Sequence, residues 1–473
     1  MNPKDNPKPE EVVSDEEKET LDTRKYVGIN EAIPSKFAPE DVEYLSSKVS
    51  WEALGLDKGL CERLIQLGYK KPSFIQSKVI SISKNNSVVA QAQNGSGKTL
   101  AYIVPILRLL NESQAKPNEG PVSSPKVIVL ADTRALIMQI SKILKRITEG
   151  YKDFVVDFTF SGKTDVDPKT QILISTIAQV RIAAQKKTVD FSNAELVVVD
   201  EADHVFESDL SKNFFQLFVH KLLKAPNFKV IFTSATMTDD FRKVIQIVQE
   251  KRNLIQIELP VEQLTLKNVQ QYKIFHTGTQ QKKAVLEQVI SKINAQNILI
   301  FDNRKQNLLE LLEFLNSKNY KAAFIYKSEG DQPSDTNTGE VIQKQIDDFL
   351  AGKYRILLTT NLLSRGIDMR KVTLVVNYSL PIKYKDVDGS RSREIDLETY
   401  LHRVGRTGRF GDHGIALNFV DQKYEVGMID EISNYYKNEI REIRIDQLSS
   451  LNQQLEEIQN LNKEKREYLE ENI

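Results

Sequence analysis

The chain has 473 residues, with 65 lysines and arginines against 65 aspartates and glutamates and 40% hydrophobic residues. That length holds two ordinary α/β domains with tails, and the balanced charge excludes a general polycation, so any nucleic-acid surface is a local patch. A single cysteine, Cys61, excludes a disulfide within the chain, as fits a reducing compartment; Cys61 reads as a small core residue.

Residues 1–50 are polar, acid-leaning and poor in aromatics, which predicts a largely disordered extension. Pro39-Glu40-Asp41 offers a local helix start within it. The segment has no apolar signal-peptide core, and no run in the chain is long enough to span a bilayer. No membrane insertion is expected, and cytoplasm and nucleus both stay open.

From Trp51 onward short apolar runs alternate with helical patterns. Ser87-Val88-Val89-Ala90, Lys126 to Leu130, Gln171 to Ile174, Leu196 to Val199 and Phe228 to Phe232 form one series. Ile298 to Phe301, Ala323 to Tyr326, Ile356 to Thr359 and Leu374 to Asn377 form a second. Continuous β-rich runs separated by helix-length stretches predict buried parallel strands. The expected fold is α/β, with two tandem mostly parallel sheets flanked by helices. The expected divisions are an extension over 1–50, a first domain over 51–260, a linker over 261–268, a second domain over 269–445 and a helical tail over 446–473. Gly330 to Thr338 and Lys383 to Arg393 read as polar surface insertions, the latter turning at Asp388-Gly389-Ser390. In the tail, Leu451, Leu455, Ile458 and Leu461 share one helical face, which should pack on the second domain.

Ala92-Gln93-Asn94-Gly95-Ser96-Gly97-Lys98-Thr99 lies between a strand and a predicted helix. Gly95, Ser96 and Gly97 let backbone N–H groups turn toward phosphate oxygens, and the helix N-terminus adds positive potential. Lys98 would neutralise the β- and γ-phosphates of ATP, and Thr99 would bind Mg²⁺. Asp200-Glu201-Ala202-Asp203 follows the apolar run ending at Val199, which puts carboxylates at the sheet edge. Asp200 is expected to hold Mg²⁺ through water, and Glu201 to orient or deprotonate the attacking water. Ser234-Ala235-Thr236 follows the next strand and could link these carboxylates to the other domain. Near the far end stands His402-Arg403-Val404-Gly405-Arg406-Thr407-Gly408-Arg409. Its arginines could reach the same phosphates across a cleft; a solvated basic helix face is the plainer alternative.

With these motifs in this order, the chain resembles the DEAD-box RNA helicases over about Trp51 to Ser433. Gly68 to Gln76 is similar to the family's adenine-reading segment; the resemblance implies that Gln76 hydrogen-bonds the adenine edge and that Trp51 stacks. Thr360-Asn361-Leu362-Leu363-Ser364-Arg365-Gly366-Ile367-Asp368 is similar to the segment that meets ribose and RNA. It implies a ribose contact at Asp368 and coupling through Arg365, with Gly366 near RNA. Arg406 and Arg409 are implied as arginine fingers, and His402 as the group that meets Asp203 and the Ser234–Thr236 segment. Thr133, Arg134 and Thr176, with Arg304 and Thr360, are the implied phosphate contacts on single-stranded RNA or short duplexes. Asn361, the Glu398-Thr399-Tyr400-Leu401 lead-in to His402 and the segment after Pro381 resemble the mRNA-export branch associated with the nuclear pore. That branch implies a pore tether, an activating protein and a place at the nuclear envelope, for a chain expected to act as a monomer.

The departures are as informative. Where the family has PTREL this chain has Asp132-Thr133-Arg134-Ala135-Leu136; its paired glycines are Ser161-Gly162; its TPGR is Thr176-Ile177-Ala178-Gln179. Asn303 stands at the usual Thr, and Ser379 replaces an Asp. The ATP motifs are intact while the first-domain RNA surface is altered. The expected activity is an RNA-stimulated ATPase that locally unwinds or remodels RNA and RNA-protein complexes. An ATP-gated clamp without efficient unwinding is the alternative, and a DNA translocase is disfavoured by the adenine segment and the DEAD tetrapeptide.

Overall fold

The computed structural model describes residues 49–472 apart from 93–95, 115–116, 118–119, 153, 162, 223–226, 258–267, 326–336, 362–371, 388–389 and 409–411. The expected extension and linker therefore lie almost wholly outside the described residues. So do Gly95, Arg365, Gly366, Asp368, Arg409 and most of the 330–338 insertion.

The first lobe runs α1 (Lys58–Gln66), α2 (Phe74–Ile82), β1 (Ser87–Gln91), α3 (Lys98–Glu112), β2 (Val127–Leu130), α4 (Arg134–Thr148), β3 (Val156–Thr159), β4 (Ile172–Ser175), α5 (Ile177–Lys186), β5 (Leu196–Val199), α6 (Ala202–Val205), α7 (Asp209–Leu222), β6 (Lys229–Ser234), α8 (Asp239–Gln249) and β7 (Leu254–Ile257). The second runs β8 (Val269–His276), α9 (Thr279–Lys292), β9 (Ile298–Phe301), α10 (Lys305–Ser317), β10 (Ala322–Ile325), α11 (Asn337–Leu350), β11 (Ile356–Thr359), β12 (Leu374–Asn377), β13 (Ile382–Val387), β14 (Ser390–Ile395), α12 (Leu397–Val404), β15 (Gly414–Asp421), α13 (Val426–Tyr436), β16 (Ile440–Glu442) and α14 (Ser450–Asn472).

Each lobe is built on a seven-stranded sheet, ordered β3-β4-β2-β5-β6-β1-β7 in the first and β10-β11-β9-β12-β15-β8-β16 in the second. Neighbouring strands in both sheets pair in parallel. Position for position the orders coincide, so β1 answers to β8, β2 to β9, β4 to β11, β5 to β12 and β6 to β15. Successive side chains of a strand point to opposite faces. In the first sheet Val88, Val127, Val129 and Val198 enter one apolar cluster, while Val89, Ile128, Leu130 and Val197 enter another. Both faces are covered, which is why these strands are continuous apolar runs.

The Lys383 to Arg393 insertion lies in the antiparallel hairpin β13–β14, with Tyr384 opposite Arg393 and Ile382 opposite Ile395. The apolar stripe of the tail behaves as expected, with Leu451, Leu455 and Ile458 buried in the second core beside Ile443 and Leu448 and Leu461 half-buried.

Gly414, the first residue of β15, positions the segment that follows α12. A Cβ there would collide with Thr407 Oγ1 and would stand 2.8 Å from Thr407 Cβ. Thr407 is itself fixed, since its hydroxyl donates to Val372 O at 2.7 Å. Gly414→Ala should therefore overpack this contact and destabilise the protein by about 1–3 kcal/mol, read from the urea midpoint; an unchanged midpoint would show that the segment yields freely.

Candidate nucleotide and RNA site

Ligands of open α/β sheets bind outside the carboxyl ends of the strands, and most of the predicted residues gather at those ends. After β1 the chain enters α3 through Gly97, whose φ of 91° and ψ of 20° are left-handed. Glycine is required twice over, since a Cβ would also strike Gln76 Nε2. Lys98 is buried and donates to Ala92 O at 2.5 Å; Ser96 and Thr99 are half-buried at the same turn.

The glutamine is committed to this loop. Gln76 Oε1 accepts from Ser73 N at 2.8 Å and Gln76 Nε2 donates to Gly97 O at 3.2 Å. Ser73 Oγ donates to Ser96 O at 3.0 Å. Ser73-Phe74-Ile75-Gln76 is a capping box for α2, a second meaning of the same residues that the sequence already carried. Reading an adenine edge would mean exchanging these bonds. The stacking expected of Trp51 is corrected here. Trp51 is 1% exposed in the first core, with its indole N–H donating to Tyr69 O at 2.7 Å, and no ring face is open to a base.

Asp200, just past β5, is buried and accepts three hydrogen bonds. Its Oδ2 accepts from Tyr102 OH at 2.8 Å, and its Oδ1 from Thr233 Oγ1 at 2.7 Å and Glu201 N at 3.0 Å. Burial and the Asp200 charge push the Tyr102 phenol well above its usual range, so it stays a donor. Neither Tyr102 nor Thr233 was singled out from sequence. The available signal was Tyr102 standing one turn beyond Thr99 on α3. Glu201 holds a left-handed conformation, φ 51° and ψ 50°, the kind of backbone strain that persists where neighbours over-determine it. Together a helix N-terminus, a buried lysine, a hydroxyl and a fixed carboxylate form a donor and acceptor set that fits a triphosphate and its Mg²⁺.

Asp203 is fully buried, and its Oδ2 accepts from Thr236 Oγ1 at 2.5 Å and Thr236 N at 3.2 Å. Ser234 Oγ donates to Thr236 O at 2.8 Å, which closes that turn. Carboxylate oxygens of Asp203 and of Glu398 and a ring nitrogen of His402 lie within 4.8 Å of one another. His402 and Glu398 belong to α12, so the two lobes meet at this point. Arg406 is buried one turn later, with Nε donating to His402 O at 3.1 Å.

Arg403, between them, was passed over in sequence as one of three spaced arginines. It is wholly buried. Its Nε and Nη2 donate to Asn361 Oδ1 at 3.0 and 2.5 Å, Nη2 also to Asn303 Oδ1 at 2.6 Å, and Nη1 to Ser379 O at 2.8 Å. The departures Asn303 and Ser379 and the branch-like Asn361 thus surround one guanidinium. Burial pulls it down to about 10, against Asp302 and Asp396, so it is still charged at neutral pH and is held by neutral partners.

The RNA candidates occupy corresponding strand ends. Thr133 caps α4 after β2 and accepts from Leu136 N at 3.2 Å; Thr176 caps α5 after β4 and accepts from Gln179 N at 3.3 Å. β2 and β4 are neighbours, so two helix N-termini stand side by side, a favourable place for phosphates. Arg134 lies over the Phe160 ring, 4.3 Å from its centroid. Arg304 and Thr360 follow β9 and β11, the matching neighbours in the second sheet; Arg304 is exposed and Thr360 half-buried. Ala135, on the first turn of α4, packs against the second-lobe cluster of Leu299, Phe301 and Ile346.

Comparison with known proteins agrees with this geometry. Residues 73–244 match the family model of the DEAD/DEAH box helicase, and residues 280–411 that of the helicase conserved C-terminal domain. The ATP-dependent RNA helicase eIF4A of Saccharomyces cerevisiae (strain YJM789) is 30% identical over 408 residues, which cover 85% of this chain and 94% of that protein. The ATP-dependent RNA helicase dbp5 of Botryotinia fuckeliana is 27% identical over 413 residues, 86% of this chain and 82% of that one. Among solved structures, S. cerevisiae Dbp5 bound to RNA and ADP BeF3 superposes with a TM-score of 0.71 at 25% identity, over 86% of this chain and 99% of that one.

Glu207, just beyond α6, adds a pH dependence. Burial, followed by the carboxylates of Asp396, Asp132 and Asp203, pushes it up to about 7 from 4.5. A raised carboxylate favours its protonated form in the folded, closed arrangement. The gain is complete below pH 4.5 and is lost as pH rises through about 7. About half of the side chain still meets water, which keeps the effect modest. Stability, read from the urea midpoint, should fall between pH 5 and 8 (about one carboxylate's titration range), and Glu207→Gln should flatten that slope. An identical slope in the variant would rule Glu207 out as its source.

Proposed function

Because the chain belongs to the DEAD-box family of ATP-dependent RNA helicases, we propose that it is an RNA-stimulated ATPase whose two lobes close on one RNA strand and locally unwind or remodel it. The observation that carries this reading is the meeting of Asp203 with His402 and Glu398. Residues that handle the triphosphate come from a first domain over 51–260 and a second over 269–445. The hydrolytic set is complete only when the two are together.

In this reading Lys98 leaves the Ala92 carbonyl to neutralise the β- and γ-phosphates, while the N–H groups around Ser96 and Gly97 hold their oxygens. Mg²⁺, held by Thr99 and through water by Asp200, would offset the triphosphate charge when bound. Glu201 orients the attacking water and takes its proton. Arg406 and Arg409 stabilise the charge that develops on the transferred phosphoryl group. Asp368 meets the ribose, and Arg365 joins Asp203, Ser234, Thr236 and His402 in coupling the two lobes. Thr133, Arg134, Thr176, Arg304, Thr360 and Gly366 hold the RNA backbone, which gives little base preference. ATP and RNA each bridge the lobes, so each strengthens binding of the other. Stacking is worth about 1–2 kcal/mol per step, taking DNA as the guide, so one closure suffices for a few base pairs and not for long duplexes.

A role in mRNA export at the nuclear pore, with a pore tether and an activating protein and the chain itself monomeric, is the more specific proposal. Asn361, the Glu398–Leu401 lead-in and the hairpin after Pro381 support it, as does the likeness to dbp5. The likeness to eIF4A is at least as strong, 30% identity against 27% over nearly the same length, so localisation decides: a tagged protein should be enriched at the nuclear rim, and an even cytoplasmic distribution would count against export. The clamp alternative is favoured by one observation, that Ala135 of the altered segment packs on the second lobe. A duplex-displacement assay separates the two, since a clamp holds RNA without displacing its complement. For hydrolysis itself, Arg406→Ala should lower kcat by about 10³-fold or more while ATP binding, followed with a fluorescent analogue, stays near normal. Near-normal turnover would refute the assignment of Arg406.

A further inference from the structure

Two residues that no part of the proposed mechanism uses are joined across the first lobe. Asp132 Oδ2 lies 2.7 Å from His204 Nδ1, with both side chains about one-third exposed; the approach is a close polar contact and not an aligned hydrogen bond. Asp132 stands where the family has a proline, directly before Thr133 and Arg134 on the RNA edge. His204 follows Asp203 in α6, three residues after Glu201. Its backbone N–H also donates to Asp203 Oδ1 at 3.1 Å, and its Nε2 faces Glu207 Oε2 at 3.7 Å. One side-chain contact therefore spans from the turn that starts α4 to the turn that carries the hydrolytic carboxylates. Proline at position 132 would supply no such acceptor.

We propose that the Asp132–His204 pair is a positioning link through which RNA seated at the N-terminus of α4 sets the orientation of α6. The proposal rests on the RNA-stimulated ATPase reading. An RNA phosphate at Thr133 and Arg134 fixes the α4 turn and with it the Asp132 carboxylate. The carboxylate orients the His204 ring, and the ring orients the short helix that holds Asp203 against Thr236 and His402 and follows directly on Glu201. Ala135, on the same turn, touches the second lobe, so RNA binding and closure act on one segment. The pair touches neither the nucleotide nor the reacting water. Its removal should spare RNA-free hydrolysis and lower only the maximal stimulation.

The test is ATP turnover by the full chain with and without a single-stranded oligoribonucleotide, in wild type, Asp132→Ala, His204→Leu, His204→Asn and the Asp132→Ala/His204→Leu double variant. A coupling of this kind is worth about 5–150-fold. Asp132→Ala and His204→Leu should each cut the RNA-stimulated kcat by at least the lower bound, about 5-fold, leaving the RNA-free rate and the half-saturating RNA concentration unchanged. His204→Asn keeps an N–H near the position of Nδ1 and should restore most of the stimulation, and the double variant should be no worse than either single one. Stimulation equal to wild type in both single variants would overturn the link. So would a loss that appears as weaker RNA binding, as a matching fall in the RNA-free rate, or as additive losses in the double variant. If the wild-type chain shows no stimulation by RNA, the proposed function itself fails, and the link with it; stimulated wild type with fully stimulated variants removes the link alone.

Discussion

The buried carboxylate of Asp203 is the constraint on which the rest of the structure turns. A charge out of water must be met by hydrogen bonds or by an opposite partner. Thr236 supplies the bonds from within the first lobe, and His402 lies within 4.8 Å on the second. The group is thus shared: the turn after β6 holds it in place, and α12 approaches it only when the lobes are together. Asp200, by contrast, takes all its partners from the first lobe, namely Tyr102, Thr233 and its own neighbour Glu201. One acidic tetrapeptide therefore contains a carboxylate fixed in advance and another that depends on closure.

On the proposed function, the matching strand orders would let one closure serve two ligands. The triphosphate loop follows β1 and the acidic turn follows β5, while the RNA candidates follow β2 and β4 with β9 and β11 opposite. Nucleotide and RNA residues of each lobe thus lie along the same carboxyl edge, at different strands. A movement of one sheet against the other presents both sets at once, with α4 meeting α11 beside the RNA residues and α6 meeting α12 beside the nucleotide residues. Arg403 ties the ends of β9, β11 and β12 together through Asn303, Asn361 and Ser379, so the edge of the second lobe moves as one piece.

Much of the architecture was legible in the sequence because strands covered on both faces must be continuous apolar runs; β1, β2, β4, β5, β6, β9, β11 and β12 all read that way. The edge strands β3 and β7 are half-exposed, and polar residues break their pattern. β8 escaped for another reason: Gln270, Gln271 and Lys273 interrupt it although it lies between β15 and β16. The hairpin β13–β14 is mostly polar, so its sequence reads as a surface insertion around a turn and does not show its pairing. At the site, motif residues were legible by type and order, and their partners were not. Tyr102 and Asp200, Asp132 and His204, and Arg403 with Asn303 are brought together by strand order, which spacing along the chain does not encode. Trp51 was misjudged because an aromatic residue upstream of Gln76 fits a base-stacking role and a core role equally well from sequence, and only burial separates them.

The central claim is that triphosphate and RNA together bring Asp203 and His402 into contact. Energy transfer between one label on each lobe measures it most directly, in the presence of a non-hydrolysable ATP analogue, an oligoribonucleotide, or both. The account predicts high transfer with both ligands, low transfer with either alone, and loss of the high state in His402→Ala. Equal transfer in all four ligand conditions, or an undiminished high state in His402→Ala, would contradict it.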